Sequence, residues 1–247
     1  MNDFTFAYPD GTATLVNITF SVKDGECVVI LGANGAGKST LLLSVAAIYR
    51  GTGAIRICGE LVEKQTISSV RRHMGFIFQN SDDQSFMPTV LDNVAVGMMN
   101  RGAKRNEAEE RGRHVLELMG LQDYVNRPVS HLSHGQRKKA ALAAVLVMQP
   151  DILLFDEPTS GLDPRGRRNL IELLGAQRQT LLIATHDLEL TAELADRIIV
   201  LDGGRIRSTW TKEELRANPM LLDEHDLLPL ASYRKLLEKV TDEIGKS

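Results

Sequence analysis

Two short runs carry the side chains best suited to chemistry. The first is Gly32-Ala-Asn-Gly-Ala-Gly37-Lys38-Ser39-Thr40, which fits the spacing Gly-x4-Gly-Lys-Ser/Thr. Glycines let a backbone close around an anion, so that successive N–H groups and a helix N-terminus converge on phosphate. The loop is therefore expected to hold nucleotide phosphates through Gly32, Asn34, Gly35, Ala36, Gly37, Lys38, Ser39 and Thr40. Lys38 would reach the β- and γ-phosphates, and the Ser39 hydroxyl would ligate Mg²⁺. The second run is Ile152-Leu-Leu-Phe-Asp156-Glu157, two acids closing an apolar stretch. Asp156 suits Mg²⁺, directly or through water. Glu157 suits polarising a water that attacks the γ-phosphate. Either run alone has a bland reading, a glycine-rich turn or a strand ending in exposed charge. Together they point to a nucleoside triphosphate with Mg²⁺.

Such groups need a rigid frame, and the hydrophobic pattern supplies one. Glu26–Leu31 is almost continuously apolar, as a strand covered on both faces requires. Thr14–Phe20, Ile55–Cys58, Met74–Phe78, Ile152–Asp156, Thr180–Thr185 and Ile198–Leu201 also read as strands. Helices are expected over Lys38–Ala47, Arg165–Leu174 and Asp187–Leu194, the last with Asp187 as its cap. Strand–helix alternation argues for α/β layers around a mostly parallel sheet. From residue 80 to about 149 the strand signal fades. Val90–Met99, Lys104–Met119 and Gly135–Met148 read as helices, with Ala108, Val115, Leu118 and Met119 on one face of the second. That block reads as a helical subdomain inserted into a core of residues 1–79 and 150–222. Residues 223–247 form a tail, with an amphipathic helix through Leu236, Leu237, Val240 and Ile244.

Composition excludes several classes. Lys and Arg number 29 against 32 Asp and Glu, a formal charge of −3 that gives no electrostatic reason to expect nucleic acid or anionic lipid. The longest apolar run, Ala140 to Met148, falls far short of the roughly 20 residues a bilayer crossing needs. The opening MNDFTFAYPDG lacks a signal-peptide pattern. Cys27 and Cys58, the two cysteines, lie in apolar stretches and read as buried and reduced. His131 and His134 are three apart, but no further Cys/His cluster supports a metal site there.

A third run, Leu132-Ser133-His134-Gly135-Gln136, completes an ordered set. Phosphate loop, Gln79 after a strand, Leu-Ser signature, Asp156-Glu157, Pro158-Thr-Ser-Gly-Leu-Asp163-Pro, then His186 after a strand resembles the ATP-binding cassette family over about Phe4 to Arg207. The resemblance implies a P-loop NTPase fold with N-terminal antiparallel strands. It implies that Tyr8 stacks on adenine, that Gln79 touches Mg²⁺ and the attacking water, and that His186 holds the γ-phosphate. Ser133, Gly135 and Gln136 would bind the γ-phosphate of ATP held by an opposite cassette, with Asp163 communicating across the pair. Glu157 would be the catalytic base. One departure stands out: the family usually has glycine where this chain has His134.

Gln79-Asn-Ser-Asp-Asp-Gln-Ser-Phe-Met-Pro88-Thr-Val90, Tyr8-Pro-Asp-Gly11 and Gln136-Arg-Lys-Lys-Ala-Ala resemble the energy-coupling-factor and cobalt/nickel importer branch, although that branch usually reads Asn-Pro where this chain has Asn80-Ser81. The implied role is an ATPase subunit, peripheral on the cytoplasmic face of the membrane. Its partners would be a second cassette, a membrane coupling protein and a membrane substrate-binding protein. The cargo would be cobalt or nickel, with a vitamin as the alternative. A soluble cassette acting on nucleic acid or ribosomes is a further reading, and a module with an idle phosphate loop another.

Overall fold

The computed structural model describes residues 1–79, 87–218 and 221. The chain opens with β1 (Asn2–Ala7), β2 (Ala13–Ile18), β3 (Cys27–Leu31) and α1 (Lys38–Val45). Short pieces follow: β4 (Thr52–Ala54), β5 (Arg56–Ile57), β6 (Glu60–Leu61), α2 (Ile67–Arg72) and β7 (Met74–Ile77). Next come α3 (Val90–Asn100), α4 (Arg105–Leu118) and α5 (His134–Leu146). The chain then runs β8 (Ile152–Asp156), α6 (Pro164–Gly175), β9 (Thr180–Thr185), α7 (Leu188–Leu194), β10 (Arg197–Asp202), β11 (Arg205–Thr211) and α8 (Lys212–Ala217).

The central sheet is ordered β11-β10-β3-β9-β8-β7, parallel from β10 to β7 with β11 antiparallel on one edge. Its alternation explains the continuous apolar runs. Cys27, Val29 and Leu31 of β3 point into one core with α6 and α7, whereas Val28 and Ile30 point into another with α1 and the N-terminal strands. A strand buried on both faces cannot alternate polar with apolar residues. A smaller antiparallel sheet, β2-β1-β4, covers the second core.

Helices α3, α4 and α5 pack around Val90, Val94, Leu116, Ala140 and Ala143. Helix α5 serves two cores at once. Its Ala140, Ala143 and Val147 side faces the other helices, while Leu142 and Val145 reach the sheet. The α5 N-terminus is thereby fixed relative to the strands.

All the expected strands and helices within the described residues are present, most with ends trimmed by one or two residues. Thr14–Phe20 shortens to β2, ending at Ile18, and Ile55–Cys58 to the two residues of β5. Elements not read from the sequence are β1, β4, β6, α2, β11 and α8. Two expectations are corrected. Leu118 is 68% exposed, and the buried residues of α4 are Ala108, Gly112 and Leu116. At 3.6 residues per turn, Leu118 lies about 80° from Ala108 on the side away from Gly112 and Leu116, and so about 160° from Leu116, outside the stripe. Cys58 is exposed on the tip of the β5–β6 hairpin, and only Cys27 is buried. The expected tail helix and residues 80–86 after Gln79 lie outside the described residues.

Candidate functional site

Parallel register puts the chemistry on one edge. Leu31 pairs with Thr185, Asp156 with Ala184 and Ile77 with Phe155, so β3, β7, β8 and β9 end together. In open α/β sheets ligands bind outside these carboxyl ends. Beyond them lies a cleft of about 560 Å³, lined by Tyr8, Asn34, Gly35, Gly37, Lys38, Ser39, Thr40, Gln79, Glu157 and His186, with Thr14 and Ser160.

The loop at its base is built for an anion. Gly37 caps α1 with φ of 102° and offers no side chain to the first helical N–H groups. A Cβ on Gly37 would stand 2.9 Å from the Thr14 carbonyl oxygen, and one on Gly32 2.3 Å from that of Leu201. Gly32 and Ala36 are buried and form the underside of the loop. Lys38 Nζ donates to the carbonyls of Gly32 at 2.8 Å and Ala33 at 3.2 Å, and lies 3.4 Å from Glu157 Oε1.

Glu157 is only 6% exposed and sits at φ 45°, left-handed backbone that a non-glycine residue rarely adopts. Its N–H donates to the Ala184 carbonyl at 2.8 Å. Oε2 accepts from Thr185 Oγ1 at 3.0 Å and lies 3.0 Å from His186 Nδ1. The His186 ring is 64% exposed and faces the cleft. Residues held off-minimum mark places where the surroundings over-determine the chain, commonly at sites of chemistry.

Asp156, at the end of β8, is buried, and its Oδ1 has no hydrogen-bond partner. Burial pushes its carboxyl above the usual range and Glu157 adds to this, against the Ser39 hydroxyl and the Lys38 charge. A buried, unpartnered carboxylate oxygen beside a hydroxyl is a hard oxygen donor set, and it fits Mg²⁺ or its water shell. Tyr8 borders the same cleft, its hydroxyl 3.2 Å from Thr40 Oγ1 and its ring edge-on to Phe6 and Tyr49 at 5.1 and 5.7 Å.

The other expected residues lie elsewhere. Ser133, Gly135, Gln136 and Asp163 line a separate hollow of about 490 Å³. Ser133 and Gln136 form a capping box at the start of α5: Gln136 N donates to Ser133 Oγ at 3.3 Å, and Ser133 N donates to Gln136 Oε1 at 2.8 Å. Asp163 caps α6, accepting from Gly166 N at 2.7 Å. His134 lies with Nε2 3.4 Å from the Ser160 carbonyl oxygen, beside Gly161.

A profile described as "ABC transporter" matches residues 15–160. Two curated relatives are energy-coupling factor transporter ATP-binding proteins EcfA. That of Methanosphaera stadtmanae is 41% identical over 98% of this chain and 88% of its own length. That of Methanocaldococcus jannaschii is 43% identical over 86% and 78%. The chain belongs to the ABC transporter ATP-binding family. Among solved structures, cbiO1 of Clostridium perfringens, part of the cbiONQ complex, superposes with a TM-score of 0.80 at 32% identity over 96% of this chain and 97% of that one. The ATP-binding cassette MJ0796, a dimer in a post-hydrolysis state bound to ADP and Pi, gives 0.76 at 28% identity over 85% and 97%. This cassette is accordingly an ATPase with the P-loop NTPase fold.

Sequence reasoning missed three groups that hold the cassette's site. Thr185 bonds Glu157 directly. Asp187 accepts from Thr159 Oγ1 at 2.7 Å and from Arg167, tying the segment after Glu157 to α6 and α7. Lys138, only 7% exposed on α5, donates to the carbonyls of Pro158 and Ser160 at 2.6 Å each. Burial lowers its ammonium to about 8, with Glu157 acting against that. A buried-side lysine at helical spacing was the available signal, but its acceptors lie twenty residues away and no local pattern names them.

Proposed function

We propose that this chain is the ATP-hydrolysing subunit of an energy-coupling-factor-type importer, working as a head-to-tail pair of cassettes. The observation that carries this reading is the division of the site. Lys38, Glu157 and His186 line one hollow, and Ser133, Gly135, Gln136 and Asp163 another. Two copies, or a copy and a related cassette, would set the second hollow of each over the first of the other.

Bound Mg-ATP would supply the reacting phosphate and the ion that neutralises its oxygens. Ser39, Asp156 and Gln79 would hold Mg²⁺. Lys38 and the N–H groups of the loop from Gly32 to Thr40 would bind the phosphates, and Tyr8 the adenine. Glu157 Oε2, steadied by Thr185 and His186, would accept the proton of the attacking water. His186 would orient the γ-phosphate from the open side of the cleft. Ser133, Gly135 and Gln136 of the facing cassette would close over it, and Asp163 would sense that closure.

We take cobalt or nickel ions as the cargo ahead of a vitamin, and a membrane coupling protein and membrane substrate-binding protein as partners. Tyr8-Pro-Asp-Gly11 and Gln136-Arg-Lys-Lys support the branch, as do the EcfA relatives and the likeness to cbiO1. Among the described residues no helix is long and apolar enough to cross a membrane, consistent with a peripheral subunit on its cytoplasmic face. A nucleic-acid partner is not part of this reading. The test is the ATPase rate per chain against protein concentration, which should rise with concentration at the dilute end. A constant rate per chain down to monomer removes the pair. Co-purification from native membranes, with metal and vitamin analysis of the complex, names partners and cargo; a cassette found only on ribosomes or nucleic acid sinks the importer reading.

A further inference from the structure

Far from the cleft, at the amino-terminal edge of the sheet, three segments bring Cys58, His73 and Asp151 together with their ligand atoms all within 4.8 Å of one another. His73 directly precedes β7 and Asp151 directly precedes β8, and the register Met74↔Ile152 fixes their spacing. The His73 carbonyl accepts from both Asp151 N and Ile152 N at 2.9 Å, and His73 Nδ1 lies 2.6 Å from Asp151 Oδ2. Cys58 comes from the two-residue turn of the β5–β6 hairpin, where Cys58 and Gly59 have φ of 49° and 81°. Such turns favour Asn-Gly or Asp-Gly, so turn geometry does not call for cysteine there.

We propose that Cys58, His73 and Asp151 form a binding site for a divalent transition metal of the zinc class, separate from the Mg-ATP site. A thiolate, an imidazole and a carboxylate are the ligand types of zinc and neighbouring ions, whereas Mg²⁺ and Ca²⁺ take oxygen alone. Tetrahedral bond lengths put ligand atoms about 3.3–3.6 Å apart. The 4.8 Å limit thus needs a contraction of at most about 1.5 Å, which rotation of an exposed side chain on a hairpin tip supplies, while the His73–Asp151 pair opens slightly. Asp151 and Asp24 place negative charge beside Cys58, a field that favours a cation. The side chains of His73 and Asp151 are 38% and 61% exposed, which leaves an entry path and room for water as a further ligand. A bound ion would fasten the hairpin to the start of β7 and β8.

The test titrates the reduced full chain with Co²⁺ in excess Mg²⁺ and without nucleotide. The expected result is one equivalent bound, with a thiolate-to-cobalt charge-transfer band that Zn²⁺ displaces. Cobalt at Asp156 and Ser39 gives no such band, because no thiol is there. Cys58→Ser should abolish the band, and His73→Ala and Asp151→Asn should each weaken binding by about tenfold or more. Cys27→Ser should keep it, since burial holds the Cys27 thiol up at about 12. Zn²⁺ should raise the Tm of the parent chain and of Cys27→Ser but not of Cys58→Ser, with circular dichroism confirming that each variant is folded. Absence of the band, its survival in Cys58→Ser, or unchanged affinity in His73→Ala or Asp151→Asn overturns the proposal.

Discussion

Lys38 and Glu157 face each other across 3.4 Å, and both side chains are buried. Each is also held from behind, Lys38 by the Gly32 and Ala33 carbonyls and Glu157 by Thr185 and His186. The loop cation and the acid that directly follows β8 therefore form one electrostatic unit. A phosphate entering the cleft offers Lys38 a second anion, so the lysine would be shared between the bound nucleotide and Glu157.

Glu157→Gln keeps the size of the side chain and removes its charge. ATP binding should persist, since Lys38 then has no competing carboxylate, while turnover falls by about 10² or more. Equilibrium nucleotide binding and single-turnover hydrolysis check this. Turnover at the parent rate would remove Glu157 as the base.

Asp156→Asn should make the protein more stable and less active. Burial holds the folded carboxyl above its usual range, so the ionised form is disfavoured at neutral pH and the carboxyl's stability contribution is lost as pH rises through its folded pKa. An amide avoids that cost but loses the charge for Mg²⁺. Tm at neutral pH without nucleotide should rise and Mg²⁺-dependent hydrolysis should fall. The Tm gain should vanish at acid pH, where the parent carboxyl is protonated too.

Lys138→Met leaves the Pro158 carbonyl without its donor and the Ser160 carbonyl with only the longer contact to His134, at a cost of about 1–3 kcal/mol. The segment after Glu157 should loosen, lowering kcat more than it raises KM. Lys138→Gln, which retains an N–H donor, should recover part of the rate. Thermal melts and steady-state kinetics on both variants separate the two effects.

Asp187 predicts an acid limb. Burial works against its charge, but Arg167, the Leu190 N–H and Thr159 outweigh it and hold the carboxyl below the usual range. The stability from this carboxyl is present above the unfolded value and lost as pH falls through the lower folded one. The Tm difference between the parent and Asp187→Asn should be largest at neutral pH and shrink below about pH 4.

The frame was legible where burial was symmetric. β3, β8 and β9 are apolar along their length because both faces are covered, and the glycine-rich turn after β3 has a spacing with few other uses. Edge elements were not. β11 carries Arg205, Arg207, Ser208 and Thr209, with Trp210 its only buried residue, so its pattern reads as loop. The capping box Thr211-Lys-Glu-Glu214 does announce α8, a local signal left unread. In the candidate site, the phosphate loop and the Asp156-Glu157 pair stand out through local spacing, whereas Lys138, Thr185 and the Cys58–His73–Asp151 cluster depend on contacts that only the fold creates.

The separation of the two hollows has a genetic consequence under the proposed pairing. A chain with Lys38→Ala loses its loop face but keeps an intact Ser133 face, and a chain with Ser133→Arg is the reverse. Each variant alone gives a dead pair, while the mixture assembles one complete site from the sound halves. Damaging substitutions should sort into two complementation groups set by the hollow they line: Lys38, Gln79, Glu157 and His186 in one, Ser133, Gln136 and Asp163 in the other.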